Sequence, residues 1–258
     1  MSTKTVWITG ASSGIGREFA RRYARLGFRL ILTARRRDRL ETLAAELLAK
    51  HGTLCRIVPA DLEQDAQVTA LCKALADERI DLFINNAGFG ACGAFSETDA
   101  GKELSMLRVN VLAMHRLFKF TLRKMKAQGF GTILNVASSA GLLPGGPYMA
   151  GYYASKAYVV SLTRGVAEEL REQHSPVYVC ALCPGPVDTE FNDRADVVFA
   201  LKGITPELCV KEAMRGMLRR KTIIVPSTLM RLATTAQKLV PTPLLMPIVA
   251  RQQKKKLG

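Results

Sequence analysis

Seven short apolar runs recur along the chain with helical patterns between them, and this alternation constrains the fold more than any other feature. The runs fall at residues 5–9, 29–32, 54–58, 81–84, 132–136, 177–181 and 222–225. Between the second and third, Leu40, Leu43, Ala44, Leu47 and Leu48 fall three and four residues apart, the spacing of one helical face. Strands that are apolar throughout and separated by helices predict a parallel sheet covered on both sides. No internal repeat, low-complexity segment or linker divides the sequence. A chain of 258 residues is within reach of one α/β core. The expected architecture is therefore one doubly wound α/β domain over residues 1–258, with about seven parallel strands, helices on both faces, and a C-terminal extension from about residue 226.

Composition excludes several classes. Cys55, Cys72, Cys92, Cys180, Cys183 and Cys209 are scattered, and no pair has metal-ligand spacing. Cys180 and Cys183 form a C-x-x-C, but inside an apolar strand-like run, whereas a redox thiol pair needs an electropositive, partly exposed setting. Buried free thiols in a reducing cytoplasm are the expectation. His51, His115 and His174 stand in unrelated contexts, which argues against a metal site or a Ser-His-Asp triad. Residues 1–4 lead straight into the first apolar run, so no signal peptide is expected. The longest apolar stretch near the C-terminus, 239–250, is short of the roughly 20 residues a spanning helix needs and contains Pro241, Pro243 and Pro247. The net charge of +15 is concentrated at 35–39 and in the tail from Arg251 through Lys254, Lys255 and Lys256.

The first apolar run ends in Thr9-Gly10-Ala11-Ser12-Ser13-Gly14-Ile15-Gly16, and a helical pattern follows from Arg17. A glycine-rich turn between a first strand and a first helix lets backbone amides approach a pyrophosphate, with the helix N-terminus adding a favourable dipole. The second run ends in Thr33-Ala34-Arg35-Arg36, and no acid follows until Asp38. An acid there would grip ribose hydroxyls, whereas an arginine accommodates a 2′-phosphate. NADP(H) is therefore expected over NAD(H), with Arg35 as its leading contact.

Tyr152 and Lys156 stand four residues apart, about one helical turn, so phenol and ammonium project from one face. A fixed positive charge favours phenolate, which would bring the tyrosine towards neutral pH as a proton donor and acceptor. The neighbouring Tyr153 points about 100° away and is assigned to packing.

These motifs and their order resemble the short-chain dehydrogenase/reductase family, a Rossmann-fold group. The resemblance rests on Gly10, Gly14 and Gly16; on Asp61 and Leu62; on Asn85-Asn86-Ala87-Gly88; on Asn110; on Ser138; on Tyr152 with Lys156; and on Pro184-Gly185-Pro186-Val187-Asp188-Thr189. It covers about residues 4 to 226. It implies an NAD(P)-dependent dehydrogenase or reductase acting on a carbonyl or secondary alcohol, with Asn110, Ser138, Tyr152 and Lys156 catalytic. Cofactor contacts are implied at Gly10, Ser12, Ser13, Gly14, Ile15, Gly16 and Arg35. They continue through Asp61, Leu62, Asn86, Ala87 and Gly88, Tyr152 and Lys156, and on to Pro184, Gly185, Val187 and Thr189. In the implied mechanism Tyr152 protonates the alkoxide formed by hydride transfer, Ser138 holds the same oxygen and Lys156 tunes the tyrosine. Asn110 supports a water relay to that lysine. Ser138 and Ser139 both carry hydroxyls, and alignment from the 132–136 run places the family serine at Ser138.

On the substrate side, residues 184–203 are expected to cover the site, with Phe191, Phe95, Cys92, Met149 and Leu143 as an apolar wall, which favours a hydrophobic substrate. Beyond residue 226, Leu229, Leu232, Ala233, Ala236 and Leu239/Val240 recur at helical spacing, followed by prolines and the basic tail. Packing over the site, a subunit contact and an acidic membrane surface are all open for this segment. A homodimer or homotetramer is implied by the resemblance, nucleic acid is not an expected partner, and no metal is expected. The rival reading is a non-catalytic NADP-binding sensor or scaffold.

Overall fold

The computed structural model describes residues 3–190 and 203–254. Seven parallel strands form one sheet: β1 (Thr5–Thr9), β2 (Arg29–Thr33), β3 (Cys55–Ile57), β4 (Leu82–Asn85), β5 (Thr132–Val136), β6 (Tyr178–Leu182) and β7 (Ile223–Ile224). Their order is β3-β2-β1-β4-β5-β6-β7. Strand order reverses between β1 and β4, and in open α/β sheets ligands bind at such a switch point, outside the carboxyl ends of the strands.

The strands are mostly apolar because the sheet is covered on both faces. In β1, Val6 and Ile8 pack with Phe19, Leu30 and Leu40 on one side, and Trp7 packs with Ile31, Phe83 and Leu117 on the other. Helices α1 (Gly14–Arg25), α2 (Arg37–His51) and a later helix at Pro206–Leu218 cover the first face. Helices α3 (Asp65–Ala74), α5 (Met114–Gln128) and α6 (Ala150–Glu172) cover the second. Trp7 stacks on Phe83 with ring centroids 4.2 Å apart, and its indole N–H donates to Thr33 Oγ1 at 3.0 Å, so the large ring is buried with its polar atom paired.

Helix α4 (Ala100–Leu107) starts at Asp99, whose carboxylate accepts from the backbone N–H of Lys102. It runs through a π-helical segment, Arg108–Ala113, into α5 without a break. Such bulges re-aim side chains and concentrate at functional sites. The Pro206–Leu218 helix, α7, is capped by the Thr205 hydroxyl and has proline at its start. Then follow α8 (Thr228–Ala236), capped by Ser227, and α9 (Thr242–Lys254).

A polar pair crosses the otherwise apolar centre of the sheet. Asn85 and Asn135 are register partners at the carboxyl ends of β4 and β5. Asn85 Nδ2 donates to Asn135 Oδ1 and to the Met114 carbonyl, both at 3.1 Å. Asn135 Nδ2 donates to Thr163 Oγ1 of α6 at 3.0 Å. Among the described residues no helix is long and apolar enough to cross a membrane.

Candidate active site

The glycine turn after β1 is shaped by close approaches that only glycine permits. Gly10 and Gly14 have φ of +65° and +51°, conformations that cost L-residues with a side chain. A Cβ on Gly16 would lie 2.3 Å from the Gly10 carbonyl oxygen, so this glycine lets α1 start directly against the turn. Asn86 locks the turn to the end of β4, its Nδ2 donating to the carbonyls of Thr9 and Gly10 at 2.9 and 3.3 Å. The Thr9 hydroxyl in turn accepts from the N–H groups of Asn86 and Ala87.

A continuous cleft runs from this turn along the carboxyl ends of the strands. Its floor at one end is Gly10, Ser12, Ser13, Gly14 and Ile15, with Arg35 and Arg36 from the end of β2 and Asp61 and Leu62 from beyond β3. The middle is Asn86, Ala87 and Gly88. The far end holds Ser138, Tyr152 and Lys156, roofed by Pro184, Gly185, Val187 and Thr189. Every expected site residue lines the cleft except Gly16 and Asn110, which support it from behind. Among the expected wall residues, Met149 lines the cleft, and Cys92 and Leu143 pack in the cluster around it. Phe95 does not join them and is 70% exposed. Phe191, with most of the expected cover over 184–203, lies outside the described residues.

The arginine end holds more than sequence reasoning found. Arg35 Nη1 pairs with Glu63 Oε1 at 2.9 Å. Arg36 Nη2 reaches Ser12 Oγ at 3.3 Å and Glu190 Oε2 at 3.1 Å, and Arg39 also holds Glu190 at 2.7 Å. Burial acts to raise the Glu190 carboxyl, but the two guanidinium groups outweigh it and keep it below the usual range. The signal for Arg36 was present in the run Arg35-Arg36-Arg37. Glu190 had none, because it arrives from beyond β6.

At the other end, α6 presents Tyr152 and Lys156 on one face, as their spacing required. The Ser138 hydroxyl is hydrogen-bonded to Tyr152 and accepts from the Ala140 N–H at 3.1 Å. Ser139 is fixed differently: its backbone N–H donates to the Pro184 carbonyl, and its residue is buried. Lys156 Nζ donates to the Val136 carbonyl at 3.0 Å and stands 5.8 Å from the centre of the Tyr152 ring. The expectation that this ammonium draws the phenol towards neutrality does not hold in the chain by itself. Burial pushes Tyr152 up to about 12, and only the Ser138 hydrogen bond pulls it back. Burial also pushes Lys156 down to about 8. The ammonium spends its contact on a backbone carbonyl, and both groups sit where their charged forms are poorly solvated.

Asn110 reaches this cluster because the π-helical segment turns its carboxamide towards the loop after β4. Oδ1 accepts from the Phe89 N–H at 3.1 Å, and Nδ2 donates to the Phe89 carbonyl at 2.8 Å and to Ser155 Oγ at 3.2 Å. A side chain on Gly88 would meet both Asn110 Oδ1 and Lys156 Nζ, so that glycine lets the two groups converge. Tyr153 is buried, as assigned, and its hydroxyl accepts from Gln253 Nε2 at 2.5 Å. This ties α9 to α6. Cys180 and Cys183 are fully buried, with the Cys183 thiol pushed up to about 12 by burial.

The donor set fits a dinucleotide: a glycine cradle at a helix N-terminus, arginines at the end of β2, and at the opposite end of the cleft a cluster of half-buried Ser138 with buried Tyr152 and Lys156. The comparisons agree. The family model "short chain dehydrogenase" matches residues 4–197. The chain is 30% identical over 228 residues to a D-beta-hydroxybutyrate dehydrogenase of Rhizobium meliloti (strain 1021), covering 86% of this chain and 87% of that one. A short-chain dehydrogenase from Sphingobium yanoikuyae in complex with NADPH superposes with a TM-score of 0.84 at 34% identity, over 94% of this chain and 95% of that one. A short-chain dehydrogenase/reductase from Burkholderia phymatum in complex with NAD gives 0.83 at 29% identity, over 95% and 96%. A seven-stranded parallel sheet, a glycine turn at its switch point and these matches lead to one conclusion: the chain belongs to the short-chain dehydrogenase family, oxidoreductases that use a nicotinamide cofactor on alcohol and carbonyl groups.

Proposed function

We propose that this chain is an NADP(H)-preferring oxidoreductase that interconverts a carbonyl and a secondary alcohol on a hydrophobic substrate, with Tyr152 as general acid and base. The observation that carries the proposal is the placement of Ser138, Tyr152 and Lys156 together at one end of the cleft while Arg35 and Arg36 stand at the other. When bound, the reduced nicotinamide supplies the hydride. Tyr152 gives its proton to the oxygen that becomes an alcohol. Ser138, already hydrogen-bonded to that phenol, donates to the same oxygen and fixes its direction. Lys156, held by the Val136 carbonyl, places a positive charge behind the phenol to favour its ionised form once the proton has left. Asn110 keeps the loop at Phe89 and Gly88 in place beside that lysine.

The preference for NADP(H) is supported by Arg35 and Arg36, whose guanidinium groups converge with Arg39 on carboxylates at the adenosine end. A 2′-phosphate, carrying more charge than Glu190, competes for Arg36 and Arg39. Buried Met149 and Tyr153 beside Tyr152 support an apolar substrate body. Exposed Leu104 and Leu112 on the long α4–α5 rod, with Tyr158 on α6, support a homo-oligomer, and the free thiols suit a reducing cytoplasm. The whole chain is read as one catalytic unit, its C-terminal segment included.

The test is a steady-state comparison of NADPH with NADH on a panel of apolar ketones, repeated with Arg35→Ala and Arg36→Ala. The wild type should favour NADPH, and each variant should lose at least about tenfold in kcat/KM for NADPH with little change for NADH, the size of one charged contact. A wild type that favours NADH would refute the cofactor reading.

A further inference from the structure

Helix α8 is amphipathic, but it presents its apolar side to solvent. Leu229, Leu232, Ala233 and Ala236 stand at i, i+3, i+4 and i+7, one stripe of the helix. All four are exposed, Leu229 and Leu232 by 69% and 66%, while the buried residue of this helix is Thr234. The apolar surface continues through Leu239 and Val240 to Leu244 and Ile248 on α9. Six large apolar side chains thus lie exposed within about twenty residues, whereas scattered single ones need no explanation.

The inner side of the same segment is well anchored. Met230 packs against Gly185, and Met246 against Gly145. Gln237 Nε2 donates to the Leu142 carbonyl at 2.5 Å. Leu245 and Val249 are buried in the cluster that contains Met149, Tyr152 and Tyr153. The segment is held firmly behind the residues that line that end of the cleft, and its outward apolar face is not the product of loose packing.

Charge selects the occupant of that face. Residues 226–258 contain Arg231, Lys238, Arg251, Lys254, Lys255 and Lys256, and no aspartate or glutamate. A second copy docked through this segment by two-fold symmetry would bring together two stretches rich in cations and devoid of carboxylates. An anionic lipid surface satisfies both properties, since acyl chains take the leucines and headgroups take the arginines and lysines. We infer that the α8–α9 face docks this protein onto anionic bilayers, with Leu229, Leu232, Leu239 and Leu244 entering the interface and exposed Arg251, on the side of α9 that carries Leu244 and Ile248, meeting headgroup phosphates. If the oxidoreductase reading holds, docking sets the reactive end of the cleft next to the bilayer, where an apolar carbonyl compound partitions. The surface itself does not depend on that reading.

The test uses the full chain in sedimentation with vesicles of phosphatidylcholine containing about 30% phosphatidylserine, beside vesicles of phosphatidylcholine alone. Anionic vesicles should bind at least about tenfold better than neutral ones, a bias that weakens as salt is raised. Because Leu229 and Leu232 are exposed, L229S/L232S should keep the parental melting temperature and turnover of a water-soluble ketone while losing about tenfold or more in vesicle affinity. Failure of anionic vesicles to bind the parent would overturn the inference. So would undiminished binding of L229S/L232S, which would leave only the basic tail at work. Light scattering covers the second copy: if L229S/L232S lowers the oligomeric state in vesicle-free solution, the face is a subunit contact instead. A protein that binds vesicles but reduces no carbonyl would sink the catalytic reading and leave this one standing.

Discussion

Replacing Lys156 with methionine separates what the lysine costs the fold from what it does in the site. Burial lowers this ammonium from its ordinary 10.5 to about 8. Below about pH 8 the folded chain carries the full penalty of a buried charge. Between about 8 and 10.5 the unfolded chain still binds a proton that the folded chain has released, so this group makes stability rise with pH across that window. At about 1.4 kcal/mol per tenfold change in proton affinity, the penalty at pH 7 is on the order of 3 kcal/mol. Methionine removes that charge but also leaves the Val136 carbonyl without the ammonium as donor, a loss of about 1 kcal/mol. Lys156→Met should therefore be more stable than the parent by about 2 kcal/mol at pH 7, and the advantage should vanish as pH approaches 10. Tyr152 and buried Cys183, both pushed up to about 12, also titrate at high pH, but they are present in both proteins and largely cancel in the difference. Urea midpoints read from the fluorescence of Trp7, the chain's one tryptophan, buried against Phe83, measure this without cofactor. A stability difference that stays constant from pH 7 to 10 would refute the reasoning.

Tyr152→Phe should lower turnover by at least about 100-fold, the usual worth of a general acid, while fluorescence titration shows NADPH still bound. Tyr153→Phe should keep most of its turnover and lose about 1 kcal/mol of stability with the Gln253 hydrogen bond; a collapse of kcat in this variant instead would reverse the assignment of the two tyrosines. Asn110→Leu orphans both the N–H and the carbonyl of Phe89 and should cost on the order of 2–4 kcal/mol in urea denaturation, so a parental midpoint would contradict the bracing role. Gly141→Ala sets a Cβ 2.3 Å from the Lys156 carbonyl oxygen, where only backbone can yield. It should destabilise the chain by about 1–3 kcal/mol and reduce kcat even at temperatures where circular dichroism shows it folded.

The strands were legible because a sheet covered on both faces leaves little room for polar residues, and the few present, such as Asn85 and Asn135, are paired with each other or with a neighbouring helix. The two runs that came out shortest, Cys55–Ile57 and Ile223–Ile224, are the edge strands, where a partner on only one side sustains fewer ladder bonds. The Ser138–Tyr152–Lys156 cluster was legible through Tyr152 and Lys156, whose relation is local to one helix. The residues that escaped are joined over long separations: Glu190 to Arg36, and Gln253 to Tyr153. Arg108-Val109-Asn110-Val111 reads as ordinary helix, and nothing in its spacing announces π-helical winding. The stripe at Leu229 and Leu232 announced a helix, but periodicity does not say which way a stripe faces. Proton affinities were the least legible, because they depend on solvent exclusion around Tyr152 and Lys156 and not on their separation along α6.

The Asn85–Asn135 pair has a consequence for how the sheet finds its alignment. Parallel neighbours such as β4 and β5 are joined by a long helical crossover, so no tight turn dictates which residue stands beside which. Slabs of valine, isoleucine and leucine would bury comparable area in several alignments. Sliding β5 by one position would turn Asn135 to the opposite face, away from Thr163 of α6. Sliding it by two would restore the face but set Asn85 beside a hydrocarbon neighbour. Either error strands amide groups in a dry interior at about 1–3 kcal/mol apiece. The two asparagines act as a key between strands: they make the wrong alignments expensive, and they do so one residue before the loops that carry Asn86 and Ser138 into the cleft.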